Sequence, residues 1–99
     1  MKYDNIELVN NEAIHNFEFV VDGQRSFIDY QLRGDKIYLV HTEVPAELEG
    51  RGIAAAMVEK AFKYIENNSL KMVPLCAYIQ QYLKLHPEWD RILALNGNI

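Results

Sequence analysis

Apolar positions along the first half of the chain recur at every second residue. Phe17, Phe19 and Val21 share one face of a run over 17–21, and Ile28, Tyr30 and Leu32 alternate with Phe27, Asp29 and Gln31. That period predicts strands. A third run, Lys36 to Val44, ends at Pro45, which has no N–H to give to a ladder. Asp22-Gly23 and Arg33-Gly34-Asp35 are turn sequences between these runs. Three strands joined by tight turns make an antiparallel meander, with a short strand expected before it at Ile6, Leu8 and Val9.

The period then changes. Ala54, Met57, Val58, Ala61, Phe62 and Ile65 fall on one stripe of a helix, with Glu59, Lys60, Lys63 and Glu66 on the other side. Asn67-Asn68 ends it, and Leu70 to Leu75 reads as a short buried strand. Strand, helix and strand form a βαβ crossover, so Leu70–Leu75 is expected to lie parallel to the last strand of the meander. Cys76 to Leu85 reads as a second helix, Glu88 to Leu95 as a last short one, and Asn96 to Ile99 as a frayed end. The fold class is therefore α+β: an antiparallel meander, a crossover, then C-terminal helices.

With 99 residues the expectation is a single domain spanning 1–99. Apolar content of 49% and charged content of 24% are ordinary for a soluble protein. A net charge of −4 gives no electrostatic footprint for nucleic acid or an anionic membrane. One cysteine, Cys76, allows no internal disulfide, which favours a reducing compartment. The longest alkyl run, Ile53 to Val58, is far too short to span a bilayer, and Met1 to Asn5 lacks the apolar core of a signal peptide. A cytoplasmic location is expected.

Gly50-Arg51-Gly52 stands at the mouth of the first helix. A helix N-terminus presents unpaired N–H groups and the positive end of the macrodipole. Glycines there would let an anion such as a phosphate approach the backbone, with Arg51 adding charge. The plainer alternative is a sharp turn that needs glycine only for its dihedral angles.

The stretch Glu49-Gly50-Arg51-Gly52-Ile53-Ala54 resembles the acetyl-CoA loop of the GCN5-related N-acetyltransferase (GNAT) superfamily. Four segments in order are similar to the very small, single-domain members: His41-Thr42-Glu43-Val44-Pro45, Gly50-Arg51-Gly52-Ile53, Pro74-Leu75-Cys76-Ala77-Tyr78 and His86-Pro87-Glu88. The likeness runs from about Phe17 to Glu88. One departure is Glu49, where the loop usually has Gln or Arg, and its carboxylate is expected to turn to solvent. The resemblance implies a minimal GNAT-like fold whose last meander strand and crossover strand splay apart. It implies that Thr42, Glu43 and Val44 bond the pantetheine arm of acetyl-CoA. It also implies that Glu49, Gly50, Arg51, Gly52, Ile53 and Ala54 hold the pyrophosphate. Pro45 and Pro74 agree independently, because each removes a ladder donor where such a split must open.

The activity implied is transfer of an acetyl group from acetyl-CoA, used as co-substrate, to an unidentified amine, a small molecule or a protein. The alternative is a CoA-binding module with little or no turnover, since the chain lacks the additional C-terminal strands that usually shape an acceptor pocket. Cys76 is expected at a helix start, where the dipole favours thiolate. It is a candidate to accept the acetyl group covalently or to line the slot, against the plain reading of a small buried apolar residue. His41 ends its strand and is a candidate base or partner of Cys76, against a structural hydrogen bond. Ideal pleating would put it on the face of Ile37 and Leu39, and a bulge would not. The resemblance makes Tyr78 and Tyr82, one turn apart on the second helix, candidate acids toward the departing thiolate, with packing as the alternative. Lys84 is a candidate contact to a CoA phosphate. His86 is expected to cap a helix end and His15 to be solvated, while Trp89, Ile92 and Leu95 cover the core edge. Three scattered histidines and one cysteine make no metal set.

Overall fold

The computed structural model describes residues 2–94. Leu95 and the tail expected to fray, Asn96 to Ile99, lie outside the described residues. The strands are β1 (Val9–Asn11), β2 (Asn16–Val21), β3 (Gln24–Arg33), β4 (Lys36–Glu43) and β5 (Lys71–Pro74). The helices are α1 (Ile53–Asn67) and α2 (Ala77–Leu85), with 3-10 turns at Ala46–Leu48 and Pro87–Ile92. The strands form one sheet in the order β1-β2-β3-β4-β5, antiparallel from β1 to β4 and parallel between β4 and β5. The fold is α+β, as the alternation of periods implies. Among the described residues no helix is long and apolar enough to cross a membrane.

The β2–β3 hairpin turns on Asp22-Gly23, both left-handed at φ 53° and 73°, the combination that a two-residue turn matched to strand twist requires. One face of the sheet carries Phe17, Phe19, Ile28, Tyr30, Ile37, Leu39 and Met72, all buried. Against it pack Ile53, Met57, Val58, Ala61, Phe62 and Ile65 of α1, and Ile79, Tyr82 and Leu83 of α2. Phe62 joins the helical elements, lying edge-on to Tyr82 at 5.6 Å and to Trp89 at 5.4 Å.

Three local readings shift. The first strand is Val9–Asn11 rather than Ile6 to Val9, because Asn10 and Asn11 pair with Phe17 and Asn16. The α1 stripe begins at buried Ile53, with Ala54 half-buried. The last helical stretch is a 3-10 turn opened by Pro87, and after it Leu93 bridges beside Met72, with Ala94 N–H donating to Met72 O at 3.0 Å.

Candidate coenzyme site

The site begins where β4 loses a neighbour. Its last parallel partner is Pro74, opposite Leu39. The Leu39 carbonyl takes two N–H groups, from Leu75 and Cys76, each at 3.0 Å, and the chain then turns into α2. β4 runs on to Glu43 beside β3. The direction of its free edge follows from the ladder. Tyr30 donates its N–H to His15 O, so Tyr30 and Ile28 turn their backbone groups toward β2. Their partners Leu39 and Thr42 therefore turn theirs away from β3. At Leu39 that edge meets β5; at Thr42 it faces the opening. This fork, where β5 leaves β4 after Pro74, stands where the resemblance implies a splayed strand pair.

The register shifts between Asp29 and Tyr30, leaving Val40 as an extra residue on β4. A bulge of this kind re-aims every side chain beyond it. Before it, Ile37 and Leu39 point into the core; after it, Thr42 and Val44 are half-buried while His41 and Glu43 are exposed. His41 bonds Glu43 through Nε2 at 2.7 Å and lies 6.3 Å from Phe27. Cys76 pairs instead with Thr42, with Sγ 3.4 Å from Oγ1. The alternative of a bulge describes the molecule, and His41 is turned to the face opposite Thr42.

Below the fork lies the mouth of α1. Gly50 and Gly52 are both left-handed, at φ 83° and 76°, so the turn itself demands glycine. The space in front of them is also open: a Cβ added at either would meet nothing within 4 Å. Among the described residues no side chain caps the helix. Its first bond runs from Ala56 N–H to Gly52 O at 3.1 Å, so the amides of Ile53, Ala54 and Ala55 precede the ladder and point out of its end. Fork and helix mouth share one cavity of about 370 Å³, lined by Thr42, Val44, Glu49, Gly50, Gly52, Ile53, Ala54, Ala55, Leu48 and Tyr78. Arg51 does not line it; its guanidinium donates to Asp22 at 2.8 Å, and that bond raises its pKa further.

The family model described as GCN5-related N-acetyl-transferase matches residues 16–92. The chain belongs to the GCN5-related N-acetyltransferase family. Among known relatives of this GNAT chain, Protein NATD1 of Xenopus tropicalis is 39% identical over 64 residues, covering 64% of this chain and 59% of the relative. Protein NATD1 of Homo sapiens is 39% identical over 64 residues, covering 64% and 57%. The match thus spans less than two thirds of either NATD1 protein. A solved structure of a GCN5-like protein from Staphylococcus aureus superposes with a TM-score of 0.65 at 20% identity, covering 99% of this chain and 98% of that one. That likeness is one of fold.

Within this GNAT frame the two tyrosines of α2 part company. Tyr78 lines the cavity and is 39% exposed; its pKa is raised by burial and then by the charge of Cys76. Tyr82 is buried and donates to Glu59 Oε1 at 2.6 Å, with burial and then that carboxylate pushing its phenol far above the tyrosine range. Tyr82, singled out from sequence as a candidate acid, is therefore committed to α1, and Tyr78 stands at the slot. Cys76 is the N-cap residue of α2, 7% exposed, with its N–H on Leu39. Lys84 lines neither this cavity nor the neighbouring one. His86 is the C-cap of α2 and stacks on Tyr82 at 4.2 Å; His15 is exposed and stacks on Tyr30 at 5.5 Å.

The neighbouring cavity, of about 590 Å³, shares Gly52 and Ala55 with the first and continues along α1 past Glu59, Lys60 and Lys63, with Tyr3 and Tyr82 as walls. Sequence pattern assigned Lys60 and Lys63 to a solvated face and gave Tyr3 no role. The one signal available was the spacing of Gly52, Ala55, Ala56, Glu59 and Lys63, a helical stripe of small residues ending in charge. Among the described residues no group of three or more His, Cys, Asp or Glu is placed to hold a metal ion.

Proposed function

We propose that this GNAT chain transfers an acetyl group from acetyl-CoA to an amine. The observation that carries the reading is that the open edge of β4 and the uncapped mouth of α1 face one cavity. Pantetheine is an amide chain, and the backbone groups of Thr42 to Val44 suit it as a strand edge suits a peptide. A diphosphate needs donors and positive potential, and Gly50 to Ala55 offer backbone N–H groups, with open space in front of Gly50 and Gly52. The remaining nucleotide is longer than the first cavity and would run into the second, toward Lys60 and Lys63.

The chemistry then has assigned parts. The amine, having lost its proton, attacks the thioester carbonyl, and backbone N–H groups at the fork stabilise the oxyanion. As the C–S bond breaks, the neutral Tyr78 phenol would give its proton to the CoA thiolate, and the phenolate would take the surplus proton from the new amide nitrogen. In a covalent variant, Cys76 thiolate attacks first, releases CoA and passes the acetyl group to the amine from its own thioester. His41, on the outer face with Glu43, would act on an amine arriving from that side.

A second reading, a CoA-binding module with little or no turnover, is favoured by one observation: Cys76 and His41 do not meet. Incubation with acetyl-CoA and a mixed amine panel, followed by intact mass and free-thiol assay, separates the two. Steady CoA release that needs an amine is the result expected of an enzyme. Unchanged acetyl-CoA across the panel, with CoA still bound, supports the passive module. A Cys76→Ala chain that keeps full turnover removes the covalent route.

A further inference from the structure

Arg51 sits between two left-handed glycines, a sequence that leaves a loop free to move. Two contacts from distant segments meet on it. Tyr3 donates its hydroxyl to the Arg51 carbonyl at 2.8 Å, across 48 residues. Its ring is 8% exposed and packs edge-on to Phe19 at 6.2 Å, so the hydroxyl is anchored in the core. On the other side Arg51 Nη1 donates to Asp22 Oδ2 at 2.8 Å, across 29 residues, and Asp22 is itself fixed in the left-handed hairpin turn between β2 and β3. One contact holds the backbone and the other the side chain. Held this way, the guanidinium is turned onto Asp22, so that Gly50 and Gly52 line the first cavity while Arg51 lines the neighbouring one.

Resting on the reading of this loop as a diphosphate site, we propose that Tyr3 and Asp22 are positioning residues for the coenzyme. They fix Arg51 so that the amides on either side of it are aimed before the ligand arrives. Fixing donors in advance removes an ordering cost from binding. The N-terminal segment and the β2–β3 hairpin thereby become parts of the site without touching the reacting atoms.

The test uses Tyr3→Phe, which keeps the ring, and Asp22→Asn and Asp22→Glu, with CoA as probe. Titration calorimetry gives the CoA Kd, and amide hydrogen exchange at residues 50–52 of the free chain reports the loop directly. Arg91→Gln, which breaks the remote pair with Glu66, controls for lost stability. Tyr3→Phe should weaken CoA about 3- to 10-fold, the worth of one hydrogen bond. Asp22→Asn should weaken it about 2- to 5-fold, as an exposed ion pair allows. Both should speed exchange at 50–52, Asp22→Glu should restore part of each, and Arg91→Gln should change neither. Unchanged CoA affinity in both variants, with the unaltered chain binding CoA, overturns the inference alone. Tighter binding by Asp22→Asn also overturns it, because Arg51 would then be a phosphate ligand held back by Asp22. Failure of the unaltered chain to bind CoA at all sinks the coenzyme reading and this inference with it.

Discussion

The two halves of β4 share β3 on one side and differ in what lies on the other. From Lys36 to Leu39 the strand has a neighbour on each side, and its inward residues Ile37 and Leu39 are at most 1% exposed. From Val40 to Glu43 it lies beside β3, and its inward residue Thr42 is half-buried against Cys76. One extra residue, Val40, divides them. The closed half joins meander to crossover and holds the core. Among the described residues the open half turns the backbone groups of Thr42 toward the opening, a liability for a structural strand and a resource for a binding one.

The largest effect should come from the closed half. Leu39→Ala is expected to cost about 2–5 kcal/mol in chemical denaturation, as for a fully buried leucine. Val40→Ala, at a position 37% exposed, should cost less than about 1 kcal/mol. Equal costs would erase the division of the strand.

Gly52→Ala acts at the open end. Its left-handed φ of 76° makes alanine cost about 1–2 kcal/mol, although the added methyl meets nothing. The account adds a second loss: the methyl projects into the space assigned to the diphosphate, so CoA affinity should fall by more than any stability-matched variant shows. Affinity equal to that of the unaltered chain would leave the glycines with only a conformational role.

Between the tyrosines, Tyr78→Phe should lower turnover by about 100-fold, the low end for general acids because a thiolate leaves readily. Burial raises the Tyr78 phenol, so it stays protonated, and turnover that depends on it persists, to higher pH than an ordinary tyrosine allows. The alkaline limb of the rate profile should therefore move on substitution. Tyr82→Phe should instead cost about 1–2 kcal/mol of stability by removing the phenol that donates to Glu59 Oε1. The reverse pattern would reassign the acid.

The smallest effect tests the closed end. Arg91, whose carbonyl takes Lys71 Nζ, bonds the Glu66 carboxylate and holds its pKa below 4.5. A depressed carboxylate contributes stability above its unfolded pKa and loses it as pH falls through the folded one. The melting-temperature gap between the unaltered chain and Glu66→Gln should thus be present at neutral pH and close as the pH falls below the ordinary glutamate range and through the depressed folded-state pKa. A gap that widens in acid would contradict the assignment.

Much of the fold was legible because its signals are local. Period two in Phe17–Val21 and Ser26–Leu32, Asp22-Gly23 at the hairpin, and the stripe from Met57 to Ile65 each specify one element. Pro74 was legible too, since the last β4–β5 pair is Leu39 opposite Pro74. The bulge was not: Val40 is an ordinary strand residue, and only the pairing with Asp29 and Tyr30 makes it extra. That hid the direction of His41 and the pairing of Thr42 with Cys76. The choice between Tyr78 and Tyr82 was equally hidden, because it depends on Glu59 from another helix. Tyr3 was invisible for the same reason, its partner being a carbonyl 48 residues away.

The most direct test of the coenzyme site is an amide chemical-shift map of the chain titrated with CoA. The account predicts perturbations concentrated at Thr42 to Val44, at Gly50 to Ala55 and at Tyr78, with Lys36 to Leu39 and β1 unmoved. Saturable perturbations centred on the outer sheet face, or none at 42–44 and 50–55, would contradict it.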